Sequence, residues 1–340
     1  MADVARLAGV SVMTVSRALR DPASVTDRTR SRVTAAAAEI AYVQDRAAGA
    51  LKSGVSNIVA AIVPSLRNSL FTEMLQGLAD GLSGFGLVLT VGDGRYSAAE
   101  EQRVVAEFLS LRPRGIVLHE TVHRPDTKRM LKRARVPVIE VGDLPRSPID
   151  AAVSFSNEKA AGAVTAHLIE GGRRRIGFLT LPVTRSARSK ARLLGYRTAL
   201  EEAGLPFDPA RIAEVEGGYE AGAQGLARLL DRSRDLDAVF GAGDVLALGA
   251  LFEARRRGLA VPGDLAVASF DDHEVCRVTD PPLTSLAIPR YEIGRMCADI
   301  IGQRRGGLPE EKRVRDVGFS LRVRASTGPL GHSNRPERNQ

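Results

Sequence analysis

Cysteine is scarce in this chain. The two that occur in 340 residues, Cys276 and Cys297, cannot frame a disulfide-rich secreted domain. Neither has CxxC or Cys/His ligand spacing, so both read as buried apolar fillers. The five histidines form no HExxH and there is no G-x-S-x-G elbow, which removes metal hydrolysis and Ser-His-Asp chemistry. No G-x-G-x-x-G opens the first βα unit, no Walker A lysine motif is present, and Gly81 to Gly86 carries its glycines in the wrong order. No catalytic residue, metal or cofactor is therefore expected, and the chain is not expected to be an enzyme. No apolar run approaches the ~20 residues that a membrane span needs, and no charged segment precedes an apolar one at the start. A cytoplasmic protein with no membrane partner is expected.

What is present is length and positive charge. A chain of 340 residues exceeds one compact core and predicts a small module plus larger domains. Lys and Arg outnumber Asp and Glu by 48 to 40, a net charge of +8. That suits a polyanionic partner, although many enzymes share it.

The start of the chain carries the sharper signal. Asp3 can cap a helix through Val4, Ala5, Arg6, Leu7 and Ala8; Gly9 breaks it and Ser11 caps a second helix. In that second helix Val15, Ala18 and Leu19 share an apolar face, which leaves Val12, Met13, Thr14 and Arg17 outward. An exposed Val-Met pair has a use in a helix-turn-helix, where such side chains pack on thymine methyls and Arg forks onto guanine. A third helix begins at the Thr26 cap and buries Val33, Ala37, Ile40 and Ala41 before Tyr42. Its Arg28, Arg30 and Arg32 are candidates for phosphate neutralisation. Spacing alone also fits a plain three-helix surface bundle.

The wording of the motif goes further. Asp3-Val4-Ala5, Ala8-Gly9-Val10-Ser11 and Thr14-Val15-Ser16-Arg17 resemble the headpiece signature of the LacI/GalR family of bacterial transcriptional regulators. The resemblance implies a helix-turn-helix headpiece over 1–44 that contacts double-stranded operator DNA through Ser11, Val12, Met13, Thr14, Ser16, Arg17, Thr26 and Tyr42. It also implies a hinge over 45–56 that turns helical on DNA, with Ala48 and Leu51 at the minor groove and Leu51 as the wedge. Gly49 costs a helix ~1 kcal/mol relative to alanine, and a helix this short is marginal alone, so folding coupled to DNA fits. Asp45 stands where the family commonly has asparagine.

From Asn57 onward, short apolar runs alternate with helix-length segments. The runs are Ile58 to Pro64, Leu87 to Val91, Gly115 to His119 and Val136 to Val141, then Arg175 to Leu181, Leu236 to Gly241, Leu265 to Phe270 and Leu283 to Ile288. This is the βαβ rhythm of α/β architecture, two halves of doubly wound parallel sheet. Arg192 to Tyr196, Gly243-Asp244 before Ala247 to Ala250, and Phe270-Asp271-Asp272 before Pro282-Leu283-Thr284 resemble the two-lobed, periplasmic-binding-protein-like effector core of the same family. The implied core is 57–327, with lobe one about 57–155 and 289–320 and lobe two about 156–288 and 321–327. The polar stretch 328–340 reads as disordered and lacks leucine heptads, so a homodimer is expected rather than a tetramer.

In open α/β lobes a ligand sits beyond the carboxyl ends of the strands, where Phe71, Glu120, Arg192 and Asp244 fall. By resemblance Arg192 and Asp244 match effector contacts, and Leu70 and Phe71 match the place where lobe one packs on the ligand. Arg188 and Arg192 are four apart on one helix, a like-charge spacing that an anionic ligand would offset; otherwise Arg188 points to water. Glu120 suits sugar hydroxyls, with His123 nearby, or both are solvated loop residues. Met13 to Arg17, Pro64-Ser65-Leu66, Glu120 with His123-Arg124-Pro125, and Val153 to Asn157 are similar to gluconate-responsive members of the family. Gly243 and Ser156 replace a common asparagine and aspartate. The effector expected is a sugar or sugar acid such as gluconate, since guanidinium forks match carboxylates. The alternative is a soluble sugar-binding protein without a regulatory role, which shares the core and lacks the headpiece.

Overall fold

The computed structural model describes residues 1–43, 55–67, 69–304 and 313–328. The chain divides into two compact units, Met1–Asn57 and Ile58–Gln340. Helices and strands are numbered in chain order over the described residues.

The first unit holds α1 (Ala2–Ala8), α2 (Val12–Arg20) and α3 (Asp27–Glu39). Helix α1 starts earlier than the sequence suggests. Met1 is its N-cap, and the Asp3 carboxylate turns instead to Arg6, 3.1 Å away. Gly9 takes the left-handed φ of 60° that ends the helix and swings the chain toward α2. The Ser11 hydroxyl accepts from Thr14 N–H at 3.1 Å and Thr26 accepts from Thr29 N–H at 3.3 Å, so both predicted caps form. Val4, Ala5, Ala8, Val15, Ala18, Val33 and Ala36 make the small core. The third helix is phased differently at its end: Ile40 and Ala41 are exposed and Ala37 only half-buried. The reason is that α3 stops at Glu39 and Ala41 turns left-handed, φ 48°, so the helical face does not continue. Ala48 and Leu51 lie outside the described residues, as does the polar stretch past Gly328.

In the second unit, β1 (Ile58–Val63), β2 (Val88–Asp93), β3 (Gly115–Leu118), β4 (Val138–Glu140) and β5 (Ala151–Ser154) belong to one sheet. The order is β11-β5-β4-β3-β1-β2, all parallel, with β11 (Val314–Asp316) on the edge. The other sheet runs β12-β10-β9-β8-β6-β7. It uses β6 (Ile176–Thr180), β7 (Ile212–Glu214), β8 (Ala238–Gly241), β9 (Ala266–Asp271), β10 (Thr284–Ala287) and β12 (Ser320–Arg322), and only β12 is antiparallel to its neighbour.

Period-two burial explains the layers. On β1, Val59, Ala61 and Val63 join Leu78 and Ile293 in one core, while Ala60 and Ile62 join Val104 and Leu131 in another. Helices therefore cover both faces of the sheet: α4 (Thr72–Ser83) and α12 (Arg290–Gln303) on one side, α5 (Ala98–Ser110) and α6 (Pro125–Ala134) on the other. The second sheet does the same with α7 (Asn157–Glu170) and α8 (Ala187–Glu202) against α9 (Tyr219–Arg232) and α10 (Asp244–Arg256), and the short α11 (Val275–Val278) follows β9. Three of these pairs touch at glycine, α7 with α8 at Gly195. A Cβ on Gly294 would lie 2.5 Å from Leu78 N, and one on Gly249 would lie 2.8 Å from Ala223 N. The chain crosses between sheets after β5, returns through α12 to pack on α4, adds β11 to the first sheet and then gives β12 to the second.

Candidate DNA interface and ligand cleft

On α2 the buried face is Val15 and Ala18, and the opposite face leaves Val12 47% and Met13 66% exposed. Arg17 is exposed and Ser16 half-buried. At the amino end of the second helix of a helix-turn-helix, exposed side chains of this kind can make apolar contact with thymine methyls. Ser11 and Thr14 act mainly on the helix itself, since their hydroxyls bond each other at 2.9 Å while Ser11 caps. Thr26 is likewise engaged with Thr29 at 3.0 Å, and Tyr42 packs half-buried on the core. Of the three arginines read as phosphate ligands, Arg30 pairs with Asp27 at 2.8 Å and Arg32 donates to the Gly9 carbonyl at 3.4 Å. Arg32 therefore buttresses the turn between the first two helices.

In the second unit a cleft of about 720 Å³ opens between the lobes, lined by Tyr96 and Leu70 of the first and by Arg188, Arg192, Asp244 and Asp271 of the second. Arg192 projects from the first turns of α8 and is buried. Its Nε donates to Asn157 Oδ1 at 2.8 Å, its Nη1 donates to the Ala242 carbonyl at 2.6 Å, and its guanidinium stacks 3.7 Å from the centroid of the Phe270 ring. Among the described residues it forms no ion pair. Burial, reinforced by Arg188 and Arg290 and opposed by Asp271, brings its pKa down to about 10.

Arg188, one turn earlier, does not point to water. It is buried and donates to Glu120 Oε1 at 3.0 Å, an ion pair between the two lobes. Glu120 thus supplies the offset to the like-charge spacing. It also lines an adjoining recess of about 510 Å³. Leu70 reaches the cleft, while Phe71 lies behind it, 2% exposed and edge-on to His119. His123 is not at the mouth at all: its ring is buried between Glu101 and Glu140, with Nδ1 2.7 Å from one carboxylate and Nε2 3.3 Å from the other.

Asp244 lines the cleft, yet its oxygens are occupied. They accept from Ser269 Oγ at 2.5 Å, Ser285 Oγ at 2.8 Å, and the backbone N–H and Nδ1 of His273 at 2.7 and 3.0 Å. Sequence reasoning missed His273, and it also missed Asp271, which forms a buried ion pair with Arg290. Both stand in or directly after the Phe270-Asp271-Asp272 phrase, which is the signal in the sequence that points to them. Of the two departures, Ser156 caps α7, where Asp143 also accepts from Asn157 N–H at 3.1 Å, while Gly243 stands at the N-cap of α10 with no side chain to cap it. Among the described residues no group of three or more His, Cys, Asp or Glu side chains is arranged to hold a metal, and no helix is long and apolar enough to cross a membrane.

Residues 1–45 match the lacI family of bacterial regulatory proteins, and residues 165–327 match a periplasmic binding protein-like domain. The transcriptional regulator GntR of Pseudomonas aeruginosa is 36% identical over 96% of this chain and 94% of its own length. The chain belongs to the LacI family. As a LacI-family protein it is a DNA-binding transcriptional regulator. A LacI-family transcriptional regulator from Silicibacter pomeroyi superimposes with a TM-score of 0.87 at 32% identity, covering 96% of this chain and 98% of that one. The lac repressor dimer bound to operator and an anti-inducer superimposes with a TM-score of 0.82 at 25% identity over 96% and 98% of the two chains.

Proposed function

We propose that this LacI-family regulator is a cytoplasmic, non-enzymatic homodimeric repressor. Two headpieces read a roughly palindromic operator through α2, and a sugar acid such as gluconate, held in the cleft, sets the grip on DNA. The observation that carries the ligand reading is Arg192. A buried guanidinium with two neutral oxygen acceptors, an aromatic face and, among the described residues, no ion-pair partner is costly. A ligand carboxylate supplies the missing charge, and Arg192 is the group expected to meet it. The DNA reading rests on the exposed Val12, Met13 and Arg17 of a capped second helix.

Coupling follows from the lobes. Because Glu120 and Arg188 pair across the cleft, a ligand carboxylate that competes for Arg188 changes the relation between the lobes. The ligand shifts DNA affinity only by its differential affinity for the two lobe arrangements. The test is a fluorescence anisotropy titration at fixed salt with duplex DNA from upstream of the protein's own gene, with and without gluconate. Specific binding that gluconate weakens in the wild type, and leaves unchanged in Arg192→Met, is the expected result. Specific binding indifferent to gluconate and other sugar acids would overturn the effector, and no preference over random DNA would overturn the operator reading.

A further inference from the structure

Asp244 is the side chain in the cleft with the most hydrogen bonds and the least to offer a ligand. Two hydroxyls and two N–H groups of His273 fill its acceptor sites. The serine hydroxyls, from β9 and β10, donate to the same carboxylate oxygen and fix its orientation. A carboxylate 3.0 Å from Nδ1 fixes the proton on that nitrogen, so the imidazole tautomer is set. Nε2 is left over. Among the described residues it has no hydrogen-bond partner, and the ring, 22% exposed, lies on the wall of the cleft.

We infer that His273 is a ligand contact and Asp244 its positioning residue: the His273 imidazolium donates from Nε2 to the ligand's anionic group, so that binding takes up a proton. This deepens the sugar-acid reading and rests on it. A neutral imidazole with its proton held on Nδ1 presents only a lone pair at Nε2, which repels a carboxylate and accepts from a hydroxyl. Adding a proton turns the same atom into a charged donor. The groups that face the ring are Asp244 on α10, Asp271 at the end of β9 and Arg290 on α12; Asp272 is drawn away to Arg324 at 2.7 Å. The bond to Asp244 raises the pKa of His273 above its ordinary 6.5, with burial opposing. The arrangement favours anionic sugars over neutral ones, and more strongly as pH falls toward the pKa of His273 in the free protein.

The sign follows from linkage. Affinity for an anion is greatest below the pKa of His273 in the free protein. It falls by at most about tenfold per pH unit as pH rises from there toward the higher pKa of the complex. The experiment uses the full chain and gluconate as probe. Calorimetric titrations between about pH 6 and pH 9, in two buffers of different ionisation heat, count protons, and carbon NMR of the five histidines follows the ring directly. Uptake approaching one proton, a His273 resonance whose midpoint gluconate moves upward, and loss of the uptake in His273→Gln are expected. Gluconate binding with equal heats in both buffers and an unmoved His273 midpoint would overturn the inference and leave the sugar-acid reading standing. No gluconate binding at any of these pH values would overturn that reading and this inference with it.

Discussion

His123 offers a stability prediction whose size can be worked out. Its ring is shut away from solvent, and burial alone would strip its second proton. The bonds to Glu101 and Glu140 outweigh burial and push the pKa up to about 9 from 6.5. Each pH unit of that rise is worth about 1.4 kcal/mol, so the imidazolium contributes roughly 3 kcal/mol. Because the folded pKa is the higher one, this contribution is fully present below about pH 6.5 and is lost as pH rises through about 9. In His123→Gln a neutral amide donates to one glutamate and leaves the other uncompensated. Urea unfolding followed by far-ultraviolet circular dichroism suits a chain with no tryptophan. The wild type should exceed the variant by about 3 kcal/mol near pH 6, and the gap should close near pH 10. Tyrosines and lysines that titrate at high pH cancel between the two proteins. A gap that stays constant across this range would refute the claim that the glutamates hold a charged histidine.

Two further outcomes follow from the geometry. Arg17→Ala should remove a base contact worth about 1 to 3 kcal/mol and relax preference at one position of each half-site, measured by competition among operator variants; unchanged preference would remove Arg17 from readout. Gly249→Ala would drive a methyl against the backbone of α9, with Ala223 N 2.8 Å away, and should lower core stability by about 1 to 3 kcal/mol in the same urea assay.

The fold was legible where pattern and length agree. Eight apolar runs long enough to show β-branched character matched strands to within a few residues. The short β7, β11 and β12 carry three residues each, and β11 is exposed along its length, so no burial pattern marked them. The headpiece was readable because Ser11, Thr26 and Gly9 are local signals that need no tertiary context. Its third helix misled because Ile40 continues the apolar spacing past a terminus that the left-handed turn at Ala41 imposes. In the cleft, residue type pointed to Arg188 and Arg192, but partners are long-range facts. Glu120 is 68 positions from Arg188, and Ser269 and Ser285 are 25 and 41 from Asp244. No spacing rule spans such distances, so the sequence marks Asp244 as a cleft residue without showing that its oxygens bond Ser269, Ser285 and His273.

The crossings between the two sheets also bear on how the protein is made. The first sheet is begun by Ile58, but its covering helix α12 and its edge strand β11 come only from residues 290–303 and 314–316. On the ribosome the lobe that starts first must therefore wait, with one side of Leu78 and Gly77 uncovered, until nearly all of the chain has emerged. The intervening lobe, continuous from β6 to β10, has most of its layers in hand before then. Synthesis that stalls before α12 leaves a nascent chain with an open apolar face, the kind of surface that makes partly folded chains prone to aggregate.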